Sequence, residues 1–480
     1  IKDRLDFSCA LFCPKGKLFA QADHMPVHLG SMAFAMGSIV SLIDWRKGDM
    51  LMFNDPFLGG THLPDVTLVT PVFAKSGEQI GFVANRAHHA NIGCETPGSM
   101  PVSSTLDQEG IIIPPTILIR DNEIQSNASQ YLDINPDGLT GDIAAQVGAN
   151  RVGVLGFESL VNKLGVTKYQ ENKAQLNDFA ERMAMKTVSE LTSGDYYFQD
   201  YLDDDGCGTR NIRLSIKLSI DSKIAVLDLT ESEDMVNGNL NCPESVVAAA
   251  GLYCFRCLMP VNAPACEGLF RPIKIKTRRG SIVNAVRPAA VAAGNVETSM
   301  RLVDLVFGAL AQSIPSRIPA ASQGTMNNVA MGYIDSVKNT RWDYYETIAG
   351  GMGGGPNYPG LHGVHSHMTN TLNTPIESLE MHYPLRIQRY EIRKASYGKG
   401  EQKGGNGIIR EYEFLETTRV SLLSERRLRR PWGLHGGGSG ELGINLLNDK
   451  VLPGKCVFDA KKGDRLTIMT PGGGGWNSKN

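Results

Sequence analysis

Two apolar runs around a short glycine-containing turn constrain this 480-residue chain more than any other local feature. The first run extends from Val66 to Phe73, the second extends from Ile80 to Ala84, and the turn between them contains Gly77. Such an arrangement predicts an antiparallel β-hairpin. Pairing about Gly77 sets Asp65 opposite the His88-His89 end of the second strand, across about 5 Å. Two stretches that are distant in sequence would therefore form one site.

Five of the ten histidines fall in two clusters, which is the pattern expected of a metal or acid–base site. In the first cluster His62 precedes Asp65 by three residues, so that His62, Asp65 and either His88 or His89 can converge on a divalent cation. A fourth ligand could come from Asp6 or Asp55. An ion with nitrogen and oxygen ligands can lower the pKa of water or polarise a carbonyl, which favours hydrolysis. From spacing alone, histidines that only cap loops or satisfy the core remain an equal alternative.

The second cluster contains His365 and His367, with His362 close by. Its sequence alternates like a strand, which predicts that His365 and His367 lie on one face. No carboxylate lies at ligand spacing before Glu377. We therefore expect a hydrogen-bonded edge, a pocket wall or a subunit contact here and no second metal site.

The rest of the chain alternates between helical and strand-like patterns. A helical hairpin is predicted from about Asp142 to Leu191, with a capping box at Thr167 to Gln170 opening its second helix. Ile212 to Ile220 and Ile224 to Leu229 predict a β-hairpin. From Glu411 onward, short strand-like runs cut by glycine-rich turns are typical of an antiparallel β layer.

These patterns predict an α+β protein with several domains, mixed sheets and helices, and a β-rich, glycine-rich C-terminal part. We expect four units: 1–140 with the metal site and central hairpin, 141–195 as a helical hairpin, 196–345 as an α+β domain beginning with a β-hairpin, and 346–480 as a glycine-rich β domain. Glycine is abundant, at 52 residues, and gathers at 350–360 and in the C-terminal third. We expect tight turns or close backbone approach at these places.

Composition excludes several classes of function. A net charge of -2 without long charged blocks argues against a nucleic-acid partner, and no apolar run is long enough to span a membrane.

Nine scattered cysteines indicate a reducing, cytoplasmic location, and Cys254-x-x-Cys257 is interpreted as buried and structural. The glycine run at 350–355 does not match a dinucleotide cradle, and the sequence contains no GxxxxGK[ST] phosphate loop. Because the chain opens on Ile1, we expect its true N-terminus to lie upstream.

Longer motifs resemble the hydantoinase B / 5-oxoprolinase family across nearly the whole chain. They are the segments at 54–65, 84–93, 97–101, 288–298, 367–371, 431–434 and 470–476. The resemblance implies a zinc, manganese or similar site with His62, Asp65 and His88 as ligands and Asp6 as the fourth, with His89 able to replace His88. It also implies that Arg86 could hold a phosphate or carboxylate. The sequence departs from the family pattern at Lys403-Gly404-Gly405 and in the turn at 396–400, which bears on the substrate.

The family resemblance further implies a B-type subunit that works with an ATP-binding A-type subunit, in a hetero-oligomer that opens a cyclic amide such as hydantoin, 5-oxoproline or a lactam. ATP and Mg would be bound by the partner, which would activate the amide carbonyl by phosphorylation. His89 or an aspartate such as Asp55 would relay protons, and Arg86 would assist. The alternatives are a subunit of an ATP-dependent ketone carboxylase and a non-catalytic scaffold.

Overall fold

The computed structural model describes residues 4–22, 25–131, 139, 141–335 and 340–478. Within them the chain forms six α-helices: α1 His28–Ile39, α2 Gly141–Leu164, α3 Val166–Ser189, α4 Glu244–Leu258, α5 Ser299–Ser313 and α6 Ile376–His382. Four sheets, mostly antiparallel, accompany these helices. The predicted mixed α and β class is therefore confirmed. The start of the chain, at 1–3, lies outside the described residues.

The N-terminal part is a seven-stranded sheet ordered β2-β1-β5-β4-β3-β6-β7. Its strands are β1 Phe7–Phe12, β2 Leu18–Gln21, β3 Met50–Phe53, β4 Asp65–Phe73, β5 Gln79–His88, β6 Thr116–Arg120 and β7 Glu123–Ile124. At its centre β4 and β5 form the predicted hairpin, in which Asp65 pairs with His88 and Thr67 pairs with Arg86. Gly77 allows the connecting turn because it adopts a φ of 86°, which L side chains rarely adopt. The sequence prediction of this register is confirmed.

The helical hairpin α2–α3 is also confirmed, and α2 packs against β4 and β5. Its predicted capping box is wrong. The second helix begins at Val166, after Gly165 with a φ of 80°, and has no side-chain cap. Thr167 is thus already inside the helix, where its hydroxyl cannot serve as the N-cap.

The middle of the chain is a four-stranded sheet ordered β11-β10-β9-β8, with strands β8 Gly194–Asp204, β9 Arg210–Ile220, β10 Ala225–Asp228 and β11 Ile273–Lys276. The predicted hairpin is the antiparallel pair β9–β10. Helix α5 packs on β8 and β9, and α4 packs between α1 and α5. A single π-helical turn, Gly294–Thr298, leads directly into α5. Because all five residues of this turn are buried, it carries main chain into the centre of the molecule.

Two further sheets form the C-terminal part. Their strands are β12 Asn328–Asp335, β13 Thr340–Glu346, β14 Leu385–Ile392, β15 Ile408–Phe414, β16 Thr418–Leu423, β17 Ile444–Leu447, β18 Lys450–Leu452, β19 Lys455–Ala460 and β20 Arg465–Met469. One sheet is ordered β13-β12-β16-β19 and the other β14-β15-β20-β17-β18. The predicted antiparallel layer is confirmed. Because β12 pairs with both β13 and β16, this sheet crosses the predicted boundary at 345/346, and the division into four domains stays a prediction.

Glycine-rich segments at 350–360, 398–407 and 472–475 pack main chain against main chain. A Cβ atom on Gly351 would lie 2.2 Å from the Gly405 carbonyl oxygen, and one on Gly473 would lie 2.0 Å from that of Met352. Backbone hydrogen bonds join the same segments, for example from Gly473 to Gly405 at 2.9 Å. We call this arrangement the glycine layer, and it confirms the predicted close backbone approach.

None of the helices that the structure describes combines the length and the apolar character needed to cross a bilayer.

Candidate functional site

The open end of the β4–β5 hairpin brings His62, Asp65 and His88 together. One ligand atom from each lies within 4.8 Å of the others, and all three side chains are buried. Nε2 of His62 is 3.1 Å and Nδ1 of His88 is 3.4 Å from Oδ1 of Asp65. Four ligands at about 2.1 Å from a tetrahedral ion lie about 3.4 Å from one another. The spacing of these atoms therefore suits a divalent cation.

Two neighbours orient the carboxylate of Asp65. Thr61 donates its hydroxyl to Oδ2, and Nε2 of His28 lies 3.2 Å from the same oxygen. Nδ1 of His28 is in turn 2.9 Å from the hydroxyl of Ser8. These contacts engage Oδ2 of Asp65 and leave Oδ1 facing His62 and His88. Residues that surround a metal ligand commonly orient it in this way through hydrogen bonds.

A buried glutamate supports His62 from the opposite side. Nδ1 of His62 lies 3.4 Å from the carbonyl oxygen of Ala292. Glu109 holds that segment by accepting hydrogen bonds from the amides of Val291 and Ala292, and from the hydroxyl of Ser103. Burial raises the pKa of Glu109 to about 7. The contact with the carbonyl favours a proton on Nδ1, which would leave Nε2 of His62, on the Asp65 side, available as a metal ligand.

The electrostatics of the three residues are those of a site built around a charge. Burial alone would lower the pKa of His62, but the facing carboxylate of Asp65 outweighs it and the pKa is raised. Burial likewise opposes ionisation of Asp65, but His62 and the hydrogen bonds from three histidines hold its pKa well below the usual range. Burial lowers the pKa of His88 to about 4, so its imidazole is neutral at neutral pH. The ionised carboxylate of Asp65 and the neutral imidazole of His88 are in the protonation state that metal binding requires, whereas the raised pKa of His62 means that an ion would displace a proton there.

Unpaired buried atoms strengthen this interpretation. Within the described part of the chain, Nε2 of His88 is buried without a hydrogen-bond partner, and buried Nε2 of His62 has no partner other than the carboxylate of Asp65. The His88 ring stacks on Tyr345 with a centroid separation of 4.6 Å, and the hydroxyl of Tyr345 donates to Asn328. The three ligands, with Asp6 and Asn295, border a cavity of about 20 Å³. That volume has room for an ion or a water molecule but not for an organic substrate.

The structure separates the two candidate histidines at the end of β5. His88 faces Asp65, whereas His89 projects to the other side of the sheet, where Nε2 lies 2.8 Å from the side-chain oxygen of Gln146 in α2. Asn85, four residues earlier, faces the same helix and donates to Gln146 and Asn150. The alternation of a strand explains the separation. His88 is therefore the residue that joins the triad.

The other predicted site residues lie at different distances from the triad. Asp6 borders the small cavity, and its carbonyl oxygen accepts the amide of His88, so that a role as fourth ligand stays a proposal. Arg86 lies on the same face as His88 but donates to Thr67, Ser31 and the carbonyl of Gly59.

Asp55 accepts the amide of Phe57 and pairs with Arg287, which is a turn-capping arrangement. It does not border the small cavity.

The second histidine cluster does not form the predicted strand. His365 and His367 lie in an irregular segment whose only pairing among the described residues is an isolated bridge between Val364 and Gly350. His367 adopts a φ of 61°, which breaks the alternation that would place both rings on one face. A carboxylate does approach His367: Oδ1 of Asp304, in α5, lies 3.6 Å from its Nε2.

Comparison with known proteins identifies the chain. A family model described as hydantoinase B/oxoprolinase matches residues 1–479. The chain belongs to this family.

Hydantoinase B/oxoprolinase relatives include both longer and similar-sized proteins. The chain is 38% identical over 523 residues to 5-oxoprolinase 1 of Arabidopsis thaliana, covering 100% of this chain and 39% of the plant protein. It therefore spans about two fifths of that relative. It is 29% identical over 513 residues to a protein of Pseudomonas sp. (strain NS671) described as a candidate B-type subunit of a D-/L-hydantoinase, covering 100% of this chain and 85% of the other.

A solved structure supports the fold. The ATP-dependent caprolactamase from Pseudomonas jessenii superposes with a TM-score of 0.90 at 25% identity, covering 98% of this chain and 85% of that chain.

Several residues that support the triad of this family member escaped sequence analysis. His28 lies 37 positions from Asp65, and Glu109 lies 47 positions from His62, so no local spacing connects them. A weak signal existed for Glu109, since an acidic residue rarely lies in an apolar environment without a partner.

Proposed function

We propose that this chain is the metal-carrying B-type subunit of an ATP-dependent cyclic-amide hydrolase. The observation that carries the proposal is that His62, Asp65 and His88, all buried, each place a ligand atom within 4.8 Å of the others. Nitrogen and oxygen donors of this kind suit zinc or manganese. Asp6 is the proposed fourth ligand because it borders the same cavity.

The chemistry follows from what the residues can do. A divalent ion held here would polarise a carbonyl group or lower the pKa of water. Asp65 supplies the negative charge that holds the ion, Thr61 and His28 keep its second oxygen engaged, and the Ala292 carbonyl keeps the His62 proton on Nδ1. Tyr345 covers the His88 ring and limits access of water to that side.

The proposed roles of His89, Asp55 and Arg86 in catalysis are less well supported by their contacts. Each side chain is engaged by protein groups away from the triad, which favours positioning of β5 and of the turn before β4. We retain proton relay by His89 or Asp55 and anion binding by Arg86 only as predictions, which substitution of each residue can test.

The sequence and the relatives support a proposed second subunit that binds ATP. The chain contains no GxxxxGK[ST] phosphate loop, and the match covers only 39% of the plant 5-oxoprolinase, which leaves most of that protein for other tasks. The name of the Pseudomonas relative also designates a subunit. We propose an ATP- and Mg-binding A-type partner, a hetero-oligomer, a cytoplasmic location, and hydantoin, 5-oxoproline or a lactam as the substrate.

The test combines metal analysis with turnover. The chain is co-expressed with the A-type subunit, and metal content is measured by mass spectrometry for wild type, His62→Ala and Asp65→Asn. His382→Ala serves as the matched control, because His382 is exposed on α6. We expect about one equivalent of metal in wild type and the control, its loss in the two site variants, and unchanged assembly in all four.

Turnover then distinguishes the rival functions. ATP-dependent ring opening of a cyclic amide that disappears in His62→Ala supports the hydrolase. Incorporation of bicarbonate into a ketone without ring opening would indicate a carboxylase. Wild-type complex without bound metal would contradict the proposal and favour a scaffold.

A further inference from the structure

A second cavity lies against the metal site. Its volume is about 360 Å³, within the range of small-molecule binding sites and far larger than the 20 Å³ beside the triad. Much of its wall is apolar, contributed by Leu258, Phe307, Ile318, Pro319 and Met352. His365, Ser366 and His367 form the polar part, and we call it the His365 cavity.

The polar wall contains groups without partners. The two ring nitrogens of His365 and the hydroxyl oxygen of Ser366 are buried, and no hydrogen bond of normal geometry joins them to the residues that the structure describes. Asn373 approaches the His365 ring, but its amide already donates to Glu346 and to the Thr347 carbonyl. A buried polar group without a partner costs about 1–3 kcal/mol. Such groups in the wall of a cavity are best explained by a ligand that supplies their partners.

The backbone of the polar wall is strained. His367 adopts a φ of 61°, which an L residue rarely takes up, and this strain is concentrated at functional sites in many proteins. Its ring is held between Tyr253 and Phe307, with centroid separations of 6.0 and 5.7 Å, while Asp304 contacts its Nε2. The strained residue and its fixed ring turn the neighbouring Ser366 and His365 into the wall.

The charges of the lining residues limit which ligands the His365 cavity can bind. Arg317 is the one permanently charged residue among the described lining residues, and it is engaged by the Leu258 carbonyl at 2.6 Å and by Glu190 at 3.4 Å. Burial lowers the pKa of His365 to about 4, against an opposing effect of Asn373, so its imidazole is neutral at neutral pH. The part of a ligand inside this cavity is therefore uncharged.

The His365 cavity and the metal site share a wall. Thr369 borders both cavities, and so does the segment Met25 to Val27, whose Pro26 lines the larger cavity while Met25 and Val27 line the smaller one. Asp6, beside the triad, is close enough to act on the charge of His365. A ligand in the larger cavity would thus lie one side chain away from the proposed metal ligands.

We infer that the His365 cavity binds the ring of the cyclic amide, with its amide edge toward Ser366 and His365. An amide N–H beside a C=O offers one donor and one acceptor. The neutral imidazole of His365 can accept the N–H, and the Ser366 hydroxyl can donate to the C=O. This inference rests on the proposed function for the class of ligand, but the cavity and its unpaired groups are independent of the metal.

The test measures binding of ε-caprolactam to the purified full-length chain by calorimetry or ligand-observed NMR. N-methyl-ε-caprolactam is the matched ligand control, because its N–CH3 group replaces the N–H donor; the added methyl group is accounted for by the His365→Phe variant, which lacks the acceptor. We expect the N-methyl compound to bind roughly tenfold more weakly, since it leaves the His365 acceptor unpaired. Measured on wild type, this comparison is unaffected by folding defects.

Substitutions of Ser366 and His365 test whether these residues contact the lactam. Ser366→Ala and His365→Phe should each weaken caprolactam binding roughly fivefold to tenfold, and His365→Phe should remove the discrimination between the two lactams. Ser41→Ala is the matched control, because Ser41 is exposed and its hydroxyl donates to the Ser38 carbonyl, away from both cavities. Thermal unfolding of each variant verifies that the fold is intact.

Equal binding of the two lactams, or no detectable binding by wild type, overturns the inference. So does a Ser366→Ala or His365→Phe variant that binds like Ser41→Ala. His62→Ala separates the two proposals: if it loses metal and turnover but still discriminates between the lactams, both stand. If the complex turns over a lactam while the cavity variants leave KM unchanged, the hydrolase assignment stands and the cavity inference fails.

Discussion

Replacement of Glu297 by glutamine should change how stability depends on pH. Glu297 is fully buried in the π-helical turn before α5. Its Oε1 accepts the amide of Met326 and the side chain of Asn328, whereas Oε2 has no partner among the described residues. Burial, reinforced by the charge of Glu425, raises its pKa from 4.5 to about 8. The folded protein therefore keeps this carboxyl protonated at neutral pH.

Proton linkage determines the sign and size of the change in stability with pH. Between pH 4.5 and about 8 the folded state holds a proton on Glu297 that the unfolded state has released, so stability falls as pH rises through this window. The slope is about 1.4 kcal/mol per pH unit, or about 2.7 kcal/mol between pH 5.5 and 7.5. For 480 residues the unfolding entropy is about 1 kcal/mol/K, so this loss corresponds to about 3 °C.

The assay is calorimetric or fluorescence-detected thermal unfolding of wild type and Glu297→Gln at pH 5.5, 6.5 and 7.5. Glutamine has the shape of a protonated carboxyl and does not titrate, so the Tm of wild type relative to the variant should fall by about 3 °C across the range. Glu171→Gln, at an exposed position of α3, is the matched control and should run parallel to wild type. A Tm difference between wild type and Glu297→Gln that is independent of pH would refute the reasoning, because Glu297 would then be ionised in the folded protein.

Three further predictions concern the site and the fold. Thr61→Val removes the hydroxyl that donates to Asp65 and should lower metal affinity roughly tenfold in chelator competition, whereas unchanged affinity would contradict the orienting role. Arg86→Met leaves its three hydrogen-bond acceptors unpaired and should reduce the free energy of unfolding by about 3 kcal/mol in urea, with metal content retained. Gly473→Ala should destabilise by about 3 kcal/mol or more because its Cβ would meet the Met352 carbonyl, whereas Gly148→Ala, on open helix surface, should not.

The hairpin was predictable because two independent signals agreed on it. The apolar runs predicted the two strands and Gly77 predicted the turn, so the placement of Asp65 opposite the His88-His89 end followed without any tertiary information. The choice between His88 and His89 could not be made, since it depends on which face of the sheet α2 covers.

The other contacts of the site could not be predicted from the sequence, because they join residues that are far apart along the chain. His28 reaches Asp65 from α1, and Ala292 reaches His62 across 230 positions. The alternating pattern around His365 and His367 was misleading because polar residues on both faces carry no burial signal, and the positive φ of His367 has no signature in a non-glycine residue. The capping-box motif at Thr167 failed because the helix had already started directly after Gly165.

The hairpin register also restricts how this family member can diversify. Because side chains alternate along β5, deleting one residue between Gly77 and His88 would bring His89 into the metal site and turn His88 to the face of the sheet that α2 covers. The same slip would carry the Asn85 amide away from Gln146 and expose Arg86 to the wrong face. A substitution in these strands thus changes one side chain on one face of the sheet. A single-codon insertion or deletion would disrupt the metal site and the helix packing at the same time.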